Sequence, residues 1–181
     1  MFREYLLRWL WTLVFVWLLF LYFYLLTPLF FKKKKAPYIS SFDRSLALMK
    51  ELDIKPNSTL IDLWCGDGKA LRFFVKQYQL KHATGYDINR FALFLGKIFN
   101  KREKIWNITL VKKNFLEADL ENYDYIYVYL RAEQMEKIEH RIRETKKKET
   151  VIISNTFQFK EHIPFHIIQN KYGIDSIFLY Q

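Results

Sequence analysis

In the stretch LIDLWCGDGKAL, Leu60 to Leu71, an apolar run ends on Asp62, Gly66 and Gly68 follow one residue apart, and a helix-like segment begins near Lys69. A strand, turn and helix in that order set backbone N–H groups at a helix N-terminus, where a negatively charged group is favoured. Glycine at 66 and 68 lets the chain turn with positive φ, or lets a ligand come close to bare backbone. A second acid, Asp87, closes the stretch HATGYDI. It stands about 20 residues beyond the glycines, the spacing at which a carboxylate meets ribose hydroxyls and accepts from both. Two such signals in register point to a nucleotide-like ligand. A dinucleotide fits poorly, because Leu71 occupies the third glycine position of G-x-G-x-x-G, and no G-x-x-x-x-G-K-[ST] phosphate loop occurs.

The other reactive side chains form no comparable group. His82, His140, His162 and His166 are scattered, and Pro164 opposes a helix that would align the last two, so no metal site is expected. Cys65 is the single cysteine, which excludes an intramolecular disulfide framework and fits a reducing compartment. The basic run RIRETKKKE, Arg141 to Glu149, reads as the dipole-compatible end of a helix and a solvated turn.

The elements that must position Asp62 and Asp87 alternate between two periodicities. SFDRSLALMKEL places Leu46, Met49 and Leu52 on one helical face, and KPNS punctuates the chain before the strand TLIDL. KALRFFVKQY is then helical, HATGYD a strand, RFALFLGKIFNKR a helix and ITLVKK a strand. YDYIYVYL is a strand, AEQMEKIEHRIRE a helix and TVIISN a strand. FHIIQ and SIFLY, joined through NKYGID with Gly173 at the turn, predict an antiparallel closing pair. The pattern is that of an α/β domain with a largely parallel sheet.

Residues 1–35 read differently. From Trp9 to Phe31 the sequence carries no charge, and a helix rising about 1.5 Å per residue over that length crosses a hydrocarbon core of about 30 Å. Its length and its aromatic character separate it from a cleaved signal peptide. It predicts a retained single-pass transmembrane anchor over residues 1–35 with its basic flank, Trp9, Trp11, Tyr22 and Tyr24 being candidates for interfacial positions. Arg3 and Arg8 precede the span while Lys32, Lys33, Lys34 and Lys35 follow it, so the domain over residues 36–181 is expected on the cytoplasmic side. Beyond residue 35 the chain holds 23 basic and 18 acidic residues, a net +5 suited to attraction by anionic lipid. With the anchor ending at Phe31 and the fold starting by Ser41, a tether of roughly ten residues reaches at most about 35 Å, so the site must work near the bilayer.

The segment DLWCGDG resembles the first motif of the class I, seven-strand methyltransferases, which bind S-adenosylmethionine (SAM). GYDIN is similar to their ribose-binding motif, and VKKNFLEADL to the loop that borders the adenine. The anchor, the lead-in APYISSFDRSLALMKEL, the GDG-basic turn and YLRAEQMEKIEHRI narrow the resemblance to membrane-anchored lysine methyltransferases related to the ATP synthase c-subunit methyltransferase. The resemblance implies a Rossmann-like, seven-stranded, mostly parallel sheet with helices on both faces, and SAM as cofactor. It implies that Asp62, Gly66 and Gly68 shape the methionine end, that Asp67 faces the amino group, that Asp87 holds the ribose, and that Asn114 and Phe115 border the adenine. Trp64 stands where a glycine is usual and is expected to pack beside the turn.

Methyl transfer to an amine needs alignment, desolvation and a neutral nucleophile more than a catalytic triad. Tyr38, Tyr127 and Tyr129 are candidates for lining an acceptor channel. The expected substrate is lysine of a membrane-associated protein. YVYLRAEQM lacks the proline-containing segment common among base-modifying methyltransferases, so nucleic acid is not an expected partner. The alternative readings are a catalytically silent SAM-binding or structural membrane adaptor, and a methyltransferase of lipids or small molecules.

Overall fold

A computed structural model of the chain describes residues 8–19, 21–22, 43–147, 149–171 and 175–181. The chain divides into two compact units, Met1–Pro37 and Tyr38–Gln181. In the first unit residues 8–19 form helix α1, and residues 21 and 22 are also helical. Its apolar side chains are exposed, Trp9 to 70%, Trp11 to 71% and Trp17 to 64%. Among the described residues no helix is long and apolar enough to cross a membrane. Of the span predicted over residues 9–31, residue 20 and residues 23–31 lie outside the described residues, as do Tyr24 and Lys32 to Lys35.

The second unit begins with α2, Asp43–Leu48, whose last turn tightens into a 3-10 helix over Met49–Glu51. The predicted helix over this segment therefore changes type at Met49 and ends before Leu52, while Ser41 and Phe42 lie outside the described residues. Then follow β1 (Thr59–Asp62), α3 (Lys69–Tyr78), β2 (His82–Asp87), α4 (Arg90–Arg102) and β3 (Ile108–Lys112). A 3-10 turn over Phe115–Glu117 leads to β4 (Tyr125–Val128), α5 (Ala132–Thr145), β5 (Val151–Asn155), β6 (His166–Gln169) and β7 (Ser176–Tyr180). The predicted turn at Gly173 lies outside the described residues.

The seven strands order as β3-β2-β1-β4-β5-β7-β6. Every pair from β3 to β5 is parallel, whereas β7 runs antiparallel to both β5 and β6. Side-chain alternation sorts the core onto two faces. Leu60, Tyr125, Tyr127, Ile153, Ile177 and Leu179 meet Met49, Leu71, Phe74 and Leu93 on the side of α2, α3 and α4. Ile61, Ile126, Val128, Ile152, Phe178 and Tyr180 meet Met135, Ile138 and Ile142 of α5 on the other. Adjacent residues of one strand thus serve opposite cores, and a register slip by one residue would exchange them.

No helix forms between β5 and β6. Residues 156–165 run as an irregular segment held to α5 by Glu139, a buried carboxylate. It accepts backbone N–H groups from Lys160 at 3.1 Å, Glu161 at 2.8 Å and His162 at 3.0 Å, and its Oε1 lies 2.8 Å from the His162 Nδ1. Burial alone would raise the Glu139 carboxyl, but the bonds from His162, Glu161 and Lys160 outweigh it and hold the group below the usual carboxylate range.

Candidate functional site

The sheet order reverses about β1, whose neighbours are β2 and β4, and a crevice for ligand forms beyond the carboxyl ends of strands at such a switch point. Asp62 ends β1 and Asp87 ends β2, so both acids stand at that end. Between β1 and α3 the turn remains stitched to the sheet. Leu63 N–H donates to the Tyr127 carbonyl at 3.2 Å, Cys65 N–H to the Tyr86 carbonyl at 3.0 Å, and Gly68 N–H to the Cys65 carbonyl at 2.8 Å. Gly66 and Gly68 have φ of 55° and 76°, the left-handed region in which a side chain costs about 1–2 kcal/mol.

Asp87 is the junction of the site. Its Oδ2 accepts the Gly66 N–H at 2.8 Å and its Oδ1 accepts the Asn89 N–H at 2.7 Å, while the residue is only 5% exposed. Burial raises its carboxyl above the ordinary value, and the N–H groups of Asn89, Gly66 and Ile88 oppose that rise. Asp62 is buried, with Oδ1 accepting the Trp64 N–H at 3.0 Å. Burial pushes it up to about 7, the charges of Asp87 and Asp67 adding to the rise and the Trp64 N–H working against it. Burial, and then the same three acids, also push the Cys65 thiol well above its usual range, so Cys65 supplies no thiolate nucleophile.

Asp67 is held by its own helix. Its Oδ1 accepts the Lys69 N–H at 3.1 Å, its Oδ2 pairs with Arg72 Nη2 at 3.2 Å, and its carbonyl accepts Arg72 Nη1 at 2.5 Å. The buried Arg72 also reaches Glu103 Oε1 at 3.4 Å and lies over the Phe99 ring, 5.3 Å from its centroid, so one guanidinium ties the turn to α3 and α4. Helix α4 closes on the turn from the other side. A Cβ at Gly96 would stand 2.5 Å from the Asp67 carbonyl oxygen, so only glycine permits that approach.

Beside the turn opens a cleft lined by Leu63, Trp64, Asp87, Ile88, Lys113, Asn114 and Phe115. The Trp64 and Phe115 rings pack at 5.6 Å and 32°. Asn114 caps the 3-10 turn, its Oδ1 accepting the Leu116 N–H at 3.1 Å, and Lys113 Nζ lies 5.4 Å from the Tyr86 ring centroid. Of the residues the sequence singles out, Asp87, Asn114 and Phe115 line this cleft, while Asp62, Gly66, Asp67 and Gly68 build the turn beside it.

Tyr127 stands in the core on the α3 side, 1% exposed, edge-on to Phe74 at 5.2 Å and with its hydroxyl accepting from Asn155 Nδ2 at 2.9 Å. Tyr129 is half-buried against the same core, and burial, followed by the charge of Asp175, raises its phenol. Tyr38 lies outside the described residues.

Sequence reasoning passed over Leu63, Ile88 and Lys113 as lining residues. Each is the first residue beyond a strand, after β1, β2 and β3 respectively. Their common position was the available signal, since the rim of a parallel sheet is built from residues at its carboxyl ends. Trp64 packs as expected, and in doing so it also becomes a wall of the cleft.

The arrangement suits a nucleoside. A buried, acceptor-only carboxylate faces the cleft, aromatic and aliphatic walls offer a slot for a planar base, and three acids surround the turn. SAM has that make-up. Asp87 would hold its ribose, Asn114 and Phe115 its adenine, and Asp62, Gly66, Asp67 and Gly68 would shape its methionine end.

Comparison with known proteins agrees with this geometry. The family model described as the ANTKMT methyltransferase domain matches residues 62–166, more than half of the chain. A protein-lysine N-methyltransferase from Saccharolobus islandicus (strain REY15A) is 25% identical over 140 residues, 76% of this chain and 86% of that protein. Among solved structures, an RNA methyltransferase from Salinibacter ruber in complex with S-adenosyl-L-homocysteine superposes with a TM-score of 0.72 at 15% identity, over 78% of this chain and 92% of the other. A precorrin-6y C5,15-methyltransferase from Geobacter metallireducens GS-15 gives 0.56 at 18% identity, over 67% and 65% of the two chains. At these identities the two structures establish the fold alone.

Proposed function

This chain belongs to the family of the ANTKMT methyltransferase domain and is a SAM-dependent methyltransferase, and on that premise we propose that it methylates lysine of a membrane-associated protein from the cytoplasmic face of a bilayer. The observation that carries the SAM chemistry is the Asp87 carboxylate, bound to the glycine turn and lining the cleft. The lysine assignment is supported by the name of the S. islandicus relative. Anchoring is supported by the uncharged stretch from Trp9 to Phe31 and by the exposed Trp9, Trp11 and Trp17 of α1. Orientation is supported by four lysines after that stretch against two arginines before it.

When bound, SAM supplies a methyl group made electrophilic by its sulfonium. The chain's own part is to align and to desolvate. Leu63, Trp64, Ile88 and Phe115 would wall the nucleoside, and an apolar approach to the methyl group would lower the pKa of an incoming lysine so that its amine is neutral. Alignment of two reactants supplies several kcal/mol of rate acceleration without an acid or a base.

Radiolabelled SAM added to membranes from cells lacking the protein, with and without the purified chain, tests the proposal. The expected result is a labelled protein band whose methyl maps to lysine by mass spectrometry. Label confined to the lipid extract, to RNA or to small molecules overturns the lysine assignment and leaves the SAM chemistry standing.

A further inference from the structure

Helix α4 is built with two apolar faces and one core. Its buried residues are Ala92, Leu93, Gly96 and Asn100. At about 100° per residue, the opposite face should be polar, since it points to solvent. Instead that face carries Phe91, Phe94 and Ile98, exposed to 64%, 58% and 44%. Ile88, one turn before Phe91 and 47% exposed, extends the stripe to the rim of the cleft that it lines.

The charge on this helix has one sign. RFALFLGKIFNKR contains Arg90, Lys97, Lys101 and Arg102 and no acid. All four are exposed, and among the described residues none of them forms an ion pair. Lys112 and Lys113, at the end of the neighbouring strand β3, continue the basic border. Large apolar side chains on one helical stripe, flanked by unpaired cations without a balancing acid, are the chemistry of a helix lying in the interface of an anionic bilayer.

We propose that the exposed face of α4 docks on the anionic lipid surface and sets the mouth of the cleft, rimmed by Ile88 and Lys113, against the bilayer. This deepens the membrane reading above and rests on it. An anchor alone fixes how far the domain can stray, whereas a second contact through Phe91, Phe94 and Ile98 fixes which way the site faces. From Arg90 to Phe94 the helix advances only about 6 Å, and Ile88 stands two residues before it, so lipid contact at Phe94 brings the rim of the cleft near the membrane surface.

The full chain reconstituted into vesicles, carrying an environment-sensitive fluorophore at Phe94→Cys or at the control position Lys137→Cys on α5, tests this. Acyl chains brominated at a shallow depth serve as quenchers, in vesicles of phosphatidylcholine alone or with about 30% phosphatidylglycerol; the native Cys65 is buried. In anionic vesicles the label at 94 should be quenched at least threefold more than the label at 137, and Lys97→Glu with Lys101→Glu should remove most of the difference. Calorimetry on the same double variant should give SAM affinity within twofold of wild type. Equal quenching at 94 and 137 in chains that float with the vesicles overturns the docking proposal and leaves the anchor standing. Protection at 94 that arises only after a membrane-protein acceptor is added also overturns it, in favour of a protein contact. Chains that stay out of vesicles of both compositions overturn docking and anchoring together, while SAM binding still reports on the methyltransferase reading.

Discussion

The Asp87 carboxylate accepts the Gly66 N–H at 2.8 Å, which joins the end of β2 to the turn after β1 through one buried charge-assisted bond. Bonds to charged groups contribute about 1.5–3 kcal/mol, and Asp87 adds a second at Asn89. Asp87→Ala should therefore loosen the turn and remove the ribose acceptor together, raising the SAM dissociation constant about 10- to 100-fold by calorimetry. An affinity within twofold of wild type would remove Asp87 from the cofactor site.

Asp62 gives the fold a pH dependence opposite in sign to that of Glu139, whose folded value is lowered. Burial first, and the neighbouring charges of Asp87 and Asp67, raise it from 3.8 to about 7 in the folded chain. Between those values the folded state holds a proton that the unfolded state has lost, so this group's contribution to stability falls as pH rises from about 4 to 7. Asp62→Asn keeps an acceptor for the Trp64 N–H and removes the titration. Thermal melts at pH 5.5 and 8 should show a smaller loss for the variant than for wild type; equal losses would show that Asp62 is ionised throughout.

Trp64 and Phe115 face each other across one side of the cleft at 5.6 Å. Trp64→Ala should weaken SAM or S-adenosylhomocysteine binding about tenfold, from lost apolar contact. Trp64→Phe should keep most of it. Titration of the three proteins decides the point, and unchanged binding in the alanine variant would mean that the indole is not a wall for the ligand.

Glu139 predicts a purely structural loss. Replacing it with alanine strands three backbone N–H groups of residues 160–162 and should cost about 2–3 kcal/mol, read as a lower urea midpoint. Because its folded value is depressed, this stabilisation is present above the ordinary glutamate range and fades as pH falls through it, so wild type and variant should converge in acid. A gap that persists unchanged at pH 3 would contradict the carboxylate's role.

A reporter fused after Gln181 should be active only in the cytoplasm, given the lysines that follow the apolar stretch. Protease added to the outside of sealed cells should leave the domain intact. Digestion from that side would reverse the orientation.

The helices α3 and α4 were legible in the sequence to the residue, because strong periodicity is bracketed by clear boundaries. Gly68 turns left-handed before α3, and the Asn89 side chain accepts from Phe91 and Ala92 to cap α4. The acids at the strand ends and the closing antiparallel pair were legible for the same reason. Direction along β4 was not. In Tyr125, Ile126, Tyr127 and Val128 every residue is apolar enough for either face, so the sequence could not say that Tyr127 turns toward Phe74. Nor could it show Arg72 buried between Asp67, Glu103 and Phe99, or residues 156–165 held by Glu139. Those depend on partners distant in sequence and leave no periodic trace. The 3-10 turn at Phe115–Glu117 is too short to have one.

The missing side chain at Gly96 has a mechanical consequence. With no room for even a Cβ between α4 and the Asp67 carbonyl, a displacement of the helix toward the turn is felt at the turn. Whatever free energy a load on the outer face of α4 adds to or takes from cofactor binding, cofactor binding must return to that load in equal measure, by the reciprocity of linked equilibria. The stretch of backbone from Asp67 to Gly96 is in that sense a lever with both arms inside one domain, and its fulcrum is an atom that glycine lacks.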